Sequence, residues 1–528
     1  MYTTMRKDTV QHAVALLFIF IVAILVNGAP YFLTGISLAY RQSSDATVHV
    51  VDWQQFSRGY TGQYENDVMF QNYQAQSTGV LFADKALVRV GEFLNLGILT
   101  WSIVVSCLSL VLFLSGVYFL VLFSLKNWIL ALVISLVSII PVISLGLSSW
   151  GFLTGGFVPK ELSLGIAVWL TILYLWGAST SSRSKVATFF LLLGLFSNFY
   201  PVLFFHYALI IIIAEVLRSR SVKMEQFVYG ILFLAMAPIA LFDIFIKSSN
   251  FTPPDIAIIV DHYTATLHSW KYLFLHYLRK QILYVAIVAS LWYVFRRLLK
   301  KEYPPLLLLW YAIWWSALGL SLLGVGIELF SPSYMKYLLS RTSVWFYAAS
   351  MIIVAYTAYE IYFTKFSHSI KNAIFFSAVL FFVLLGQTSV LNVYTGIQTF
   401  QKNAEDYKQY LSIVTQLQSV VPPGAVVLSN PDQEANTIRA YGGVASWVSW
   451  KDGNVTLFDG DTARVWFERY NKTKEVFAQK DFSAIQQFAL ENNLSFYLFD
   501  TRDIEKGADR LEGRAILESG TYGLVKLK

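Results

Sequence analysis

The feature that most constrains this chain is a succession of apolar runs, each close to the ~20 residues an α-helix needs to cross about 30 Å of hydrocarbon. They fall near 13–33, 97–124, 128–149, 161–178, 186–200, 202–217, 226–247, 281–299, 304–328, 343–363 and 372–394, which makes about eleven spans. Composition agrees, since 56% of the 528 residues are hydrophobic and 14% charged, where a water-soluble domain has roughly one quarter charged. Backbone amides in hydrocarbon have no water to bond, so such runs are satisfied as helices. The expected fold is a polytopic α-helical membrane protein.

Basic residues orient the expected bundle. Arg6 and Lys7, Lys126, Arg183 and Lys185, Arg218, Arg220 and Lys223, Arg296, Arg297, Lys300 and Lys301, and Lys365 and Lys371 fall in alternate connections. By the positive-inside rule these face the cytoplasm. The long segments 34–96, 248–280 and 329–342, and the chain after 394, then lie outside it, with the N-terminus cytoplasmic in a plasma or inner membrane. The formal charge of +7 is distributed over those short clusters rather than gathered on one polar element, which argues against a nucleic-acid partner. A single cysteine, Cys107, excludes an intrachain disulfide and a cysteine-built metal site. The first apolar run is long for a cleaved signal peptide and reads as a retained span.

Two domains are expected: a membrane domain over 1–394, with the large first outer loop 34–96, and an extracytoplasmic soluble domain over 395–528. In the second, an amphipathic helix from Glu405 to Val420 ends at Pro422-Pro423-Gly424, and strand-like Ala425–Ser429 follows. A helix near 432–441, a strand Ala445–Trp450, helices near 461–479 and 481–492, a strand Leu494–Phe499 and a closing pair near 514–527 complete a small α/β domain.

About sixty residues between the first two spans is far more than a connection requires. This loop carries Asp45, Asp52, the run Tyr64-Glu65-Asn66-Asp67, Asp84 and Glu92, and Val88–Leu96 reads as an amphipathic helix on the membrane surface. A carboxylate there can act as general base towards a hydroxyl or hold a divalent cation. Glu65 and Asp67, two apart, can converge on one ion or hydroxyl, or simply belong to a solvated loop. The glycine-rich stretch Ser148–Glu161 offers Lys160 and backbone amides to a phosphate, or is a capped helix start at Pro159. The loop 248–280 holds Asp261, His262 and His268, a set able to bind substrate or move protons. Arg341, with Lys336, is a cation on the positive-poor side, suited to a bidentate phosphate grip. Trp447, Trp450, Trp466, Asp459, Asp461 and Arg469 can either stack on a carbohydrate or pack a sheet against helices.

Taken together, the cytoplasmic N-terminus, the large acidic first loop, the span number and the outer C-terminal domain resemble the C-type (GT-C) membrane glycosyltransferases. The stretches Tyr64-Glu65-Asn66-Asp67, Ser197-Asn198-Phe199-Tyr200-Pro201, Asp261-His262-Tyr263, and Trp450-Lys451-Asp452 to Trp466-Phe467-Glu468-Arg469 are similar to an uncharacterised prokaryotic branch of that superfamily. The resemblance implies transfer of a sugar from a polyprenyl-phosphate donor to a glycan, lipid or protein acceptor at the outer face, with inversion. It implies Asp67 as catalytic carboxylate with Glu65 as its partner, Asp45 and Asp52 in reserve, and Arg341, Lys160, His262 and Asp261 on the substrate side. No cofactor or protein-held metal is required, and a divalent cation (Mg2+ or Mn2+) held by acids is the alternative to the Arg341 and Lys160 cations.

Two other classes compete. A transporter or flippase of lipid-linked substrates places ionisable residues and broken helices at mid-membrane, whereas here charges cluster in the loops. A non-catalytic membrane assembly protein is the third reading, since fold does not fix function.

Overall fold

The computed structural model describes residues 2–28, 44–57, 64–68, 78–139, 142–143, 149–150, 158–243, 252, 254–255, 257–258, 282, 284–290, 292–293, 304–330, 339–362, 405–432, 435–450, 452–453, 460–511 and 514–527. The longer helices are α1 (Tyr2–Ala23, continued by a π-turn Ile24–Gly28), α2 (Ser44–Phe56), α3 (Thr78–Phe93), α4 (Ile98–Leu125), α5 (Trp128–Val137), α6 (Pro159–Ser179), α7 (Arg183–Ser197), α8 (Pro201–Ser219), α9 (Met224–Ala235), α10 (Pro305–Phe330), α11 (Ser343–Tyr362), α12 (Ala435–Gly442), α13 (Gly460–Phe477) and α14 (Phe482–Glu491). Among the described residues, five stretches are long and apolar enough to cross a bilayer: Thr9–Asn27, Ile98–Leu125, Pro159–Ser179, Pro201–Ser219 and Pro305–Ile327. They identify a multi-pass membrane protein. The expected span 372–394, together with Asp261, His262, His268, Lys336 and Asp459, lies outside the described residues.

Local sequence explains where these helices start and stop. Proline is the first residue of α6, α8 and α10, where its missing N–H has no intrahelical partner to lose and its φ already suits the helix. At the other end, Lys126 and Arg220 adopt left-handed φ of 54° and 53° and terminate α4 and α8. Asn127 then caps α5 by accepting from Leu130 N at 3.0 Å.

Small residues set the closest helix approaches. A Cβ on Gly194 of α7 would stand 2.2 Å from the Phe233 carbonyl oxygen of α9, so those backbones meet only because the side chain is missing. Aromatic contacts fill the bundle interior, with Tyr207 of α8 stacked on Trp345 of α11 at 3.7 Å between centroids and an interplanar angle of 11°. A turn at Asn198 joins α7 to α8, so 186–217 is two helices. The Asn198 amide donates to Met236 O at 2.7 Å, and its oxygen accepts from Ile239 N and Ala240 N.

Two expected spans are not continuous helices. Among the described residues the run 128–149 is helical over α5, about 15 Å at 1.5 Å per residue, and further on Val142–Ile143 (β1) pairs antiparallel with Ser149–Trp150 (β2). Pro141 lies between α5 and β1, and a proline disfavours helix at the residue before it and removes a donor. Likewise 226–247 breaks after α9 at Met236–Ala237, and helix resumes at Pro238–Leu241 and runs on through 242–243 as a π-turn.

The C-terminal part forms a five-stranded sheet of β3 (Val426–Leu428), β4 (Ala445–Ser446), β5 (Phe496–Asp500), β6 (Ala515–Ser519) and β7 (Tyr522–Lys526), in the order β4-β3-β5-β7-β6. The β3 strand is parallel to both neighbours, and β5-β7-β6 is antiparallel. Every residue of β5 is buried, as a central strand covered on both faces requires. One face packs on Ile413, Val414, Leu417 and Ile438, the other on Phe477, Phe482, Ile485 and Ala489. The expected strand Ala445–Trp450 is shorter than its apolar run, because pairing stops at Ser446 and the chain turns to present Ser449 and Asp452.

Candidate functional site

The described residues between α1 and α4 do not form a free loop. Helix α2 lies on α12 of the C-terminal domain, where Val50, Val51 and Tyr64 share an apolar cluster with Ala440. Gln54 Nε2 donates to Ala440 O at 2.6 Å, Tyr64 Oη donates to Arg439 O at 2.8 Å, and Asn66 Nδ2 donates to Gly424 O at 2.7 Å. Polar side chains thus recognise carbonyls of the other domain, and the apolar residues between them exclude water.

Asp67 closes this interface. Its carboxylate accepts from Arg439 Nε at 2.7 Å, from Arg439 Nη2 at 3.1 Å and from Ser446 N at 2.9 Å. The remaining edge of the guanidinium binds Asp452, with Nη1 2.6 Å from Oδ1, and Asp452 also accepts from Ser449 N at 2.7 Å. Side-chain exposure is 0% for Asp67 and 1% for both Arg439 and Asp452. Burial alone would lower the Arg439 pKa, but Asp452 and Asp67 outweigh it and hold the group above its ordinary value. Burial pushes Asp67 upward more than Arg439 pulls it down, and Asp452 adds to the rise.

This geometry makes Asp67 a docking group. A carboxylate whose lone pairs are engaged by a sealed guanidinium and a backbone amide takes a proton from an acceptor only by breaking the domain interface. Glu65 does not converge with it: a turn, with Asp67 N donating to Tyr64 O at 3.0 Å, leaves Glu65 exposed while Asp67 is buried.

A second ionisable group lies elsewhere on α2. His49 and Asp52, three apart, present side chains to Asp84 of α3, with His49 Nδ1 3.6 Å from Asp52 Oδ2 and 3.4 Å from Asp84 Oδ2. Trp53 Nε1 donates to Asp84 Oδ1 at 2.8 Å and fixes that carboxylate. Both aspartates are fully buried, and neither oxygen of Asp52 accepts a hydrogen bond among the described residues. Burial, then the neighbouring Asp84, pushes the Asp52 pKa well above the usual carboxylate range against the opposing pull of His49. With 14% of its side chain exposed, His49 is the edge of the cluster nearest solvent. Trp53 also lines a cleft of about 210 Å³ bounded by Val88, Glu92, Leu96, Ile98 and Trp101. The cleft is shaped by Gly91, where a Cβ would stand 2.6 Å from the Trp101 ring.

The other expected site residues lie on separate elements. Lys160 is the second residue of α6, half-buried behind Pro159, and Arg341 sits in the 3-10 turn Leu339–Thr342 that leads into α11. Asp261 and His262 lie outside the described residues, and Asp45 falls on the first turn of α2. Trp466 belongs to the core, donating to Ser449 O at 2.9 Å and stacking on Tyr470, while Arg469 lies over Trp447 at 3.9 Å. His49 and Arg439 enter as functional residues that the sequence pattern did not single out, and Asp452, part of the Trp450-Lys451-Asp452 stretch, gains a specific partner in Arg439. The pairing of His49 with Asp52 is visible in sequence only if 44–56 is read as a helix, which places positions three apart on one face. No protein-family model matches this chain, and no curated protein matches it.

Proposed function

We propose that this protein is a membrane glycosyltransferase that moves a sugar from a polyprenyl-phosphate donor to an acceptor hydroxyl at the extracytoplasmic face of the cell membrane, with its reaction centre on α2 and α3. The observation that carries this reading is Asp52, a buried carboxylate that among the described residues accepts no hydrogen bond on either oxygen, held beside His49 and Asp84. Leaving such a group unbonded is costly, and sites that spend stability on a perturbed carboxylate are where proton transfer is done.

In the proposed reaction the acceptor O–H gives its proton to Asp52 while the oxygen bonds to the anomeric carbon from the side opposite the phosphate. The bond from that carbon to the phosphate oxygen breaks, and the polyprenyl phosphate leaves with the electron pair, inverting the centre. Arg341 and Lys160 serve as cations for the departing phosphate. The neighbouring cleft, with two indoles, aliphatic side chains and the Glu92 carboxylate, suits a sugar whose apolar face stacks and whose hydroxyls bond. Asp67 moves from base to scaffold, holding α2 against the C-terminal domain.

The test is to complement cells lacking the protein and to measure glycolipid and glycoprotein products. Asp52→Asn should lower product formation by about 10²-fold or more, the range for a general base, while Glu65→Gln should restore it. Full restoration by Asp52→Asn at normal membrane abundance would refute the assignment.

A further inference from the structure

The cluster on α2 and α3 has a feature that proton transfer alone leaves unexplained: two buried carboxylates face one imidazole nitrogen. The three ligand atoms, His49 Nδ1 and one oxygen each of Asp52 and Asp84, lie within 4.8 Å of one another. Two of the separations are 3.4 and 3.6 Å. Ligands at about 2.1 Å from a tetrahedral metal ion stand ~3.4 Å apart, so these atoms already form edges of such a site.

Charge and orientation point the same way. Both aspartates have no exposure, and two carboxylates sealed together are unfavourable unless a cation compensates them. Among the described residues, Asp52 accepts no hydrogen bond on either oxygen, so both lone-pair sets are available to coordinate a cation. Asp84 is oriented by the Trp53 indole at 2.8 Å on the oxygen turned away from His49, the arrangement of an outer-shell donor that fixes a ligating carboxylate.

We infer that His49, Asp52 and Asp84 bind a first-row divalent cation, Zn2+ or Mn2+, with the fourth position open. An imidazole ligand together with two hard oxygens selects these ions over Mg2+, which keeps octahedral oxygen ligation and its waters. Three protein ligands and one open position is the pattern of a catalytic rather than a structural site. The inference rests on the proposed reaction centre and adds to it: the ion takes one Asp52 oxygen and leaves the other for the acceptor proton, while its open position accepts a substrate oxygen.

The experiment uses the full-length protein in detergent micelles, stripped with chelator and dialysed against Zn2+, Mn2+ or Mg2+ alone, with bound metal counted by elemental analysis and Mn2+ followed by electron paramagnetic resonance. The expected result is about one Zn2+ or Mn2+ per chain, with Mg2+ binding at least about tenfold weaker. His49→Ala and Asp84→Asn should each abolish it. Trp53→Phe, which removes the outer donor along with part of a buried ring, should weaken it about tenfold. Glu65→Gln, an acid of the same segment outside the cluster, should bind normally and so controls for the fold. Less than one-tenth equivalent of Zn2+ and Mn2+, or binding unaffected by His49→Ala, overturns the inference. Because binding is read without substrate, metal bound by a protein that yields no glycosylated product would sink the transferase reading and leave the site standing, whereas full transfer by a protein that binds neither Zn2+ nor Mn2+ would do the reverse.

Discussion

Replacing Arg439 by methionine is the sharpest perturbation of the domain interface. The side chain is similar in length, but Asp67 and Asp452 lose their shared cation while remaining at 0% and 1% exposure. Removing one partner of a buried ion pair costs about 3–5 kcal/mol, since the stranded charge has neither water nor counter-ion. Two carboxylates are stranded here, so the upper half of that range applies. At roughly 3 °C per kcal/mol for a unit of this size, the C-terminal domain should melt about 12–15 °C lower.

The triple variant Arg439→Met, Asp67→Asn, Asp452→Asn removes the buried charges while keeping oxygen acceptors for Ser446 N and Ser449 N. It should recover most of the loss, because a desolvated ionic network is often no more stable than its neutral replacement. The assay is thermal unfolding of the full chain in detergent, with limited proteolysis between α2 and α3 reporting whether α2 still lies on α12. A shift below about 1 kcal/mol for the single substitution, the size of an exposed pair, would refute the account of a sealed triad. A triple variant no better than the single would refute the attribution to charge.

Two glycines give further tests. Gly91→Ala puts a methyl 2.6 Å from Trp101 Cδ1 and should cost about 1–3 kcal/mol by overpacking, read as a change in tryptophan emission with a lower melting point. Gly194→Ala meets the Phe233 carbonyl at 2.2 Å, which cannot rotate away as a side chain can. That substitution should separate α7 from α9 and cost at least as much, seen as faster proteolysis at the 220–223 connection, while unchanged stability would contradict the close backbone approach.

The sequence made the long apolar helices legible because twenty consecutive apolar residues have one low-energy answer in lipid, and the prolines at 159, 201 and 305 mark their starts. It also made the C-terminal strands and helices legible, since the apolar period switches between two and 3.6 within short windows. It misled where a helix stops inside an apolar run, as α5 does at Val137, because hydropathy counts a broken helix and a whole one alike. Helix α2 was hidden for a different reason. Thr47, Val48, Val50 and Val51 favour extended chain by intrinsic preference, and packing on α12 and α3 overrides it. The docking triad was beyond reach, because Asp67 and Arg439 are 372 positions apart and no local pattern encodes a partner at that distance. Asp67 as the catalytic carboxylate rested on the resemblance carried by Tyr64-Glu65-Asn66-Asp67, a stretch that in three dimensions places Glu65 and Asn66 on an exposed turn and Asp67 in a buried anchor.

The pairing of Asp67 with Arg439 also restricts how the chain threads the bilayer. A guanidinium and a carboxylate 2.7 Å apart cannot sit on opposite sides of about 30 Å of hydrocarbon. The chain between residues 67 and 439 must therefore cross an even number of times. With the first helix added, the total is odd: nine or eleven crossings satisfy the contact and ten does not. One hydrogen-bonded side chain thus acts as a parity check on topology, and reporters fused in the 64–68 turn and after Lys528 must answer from the same compartment.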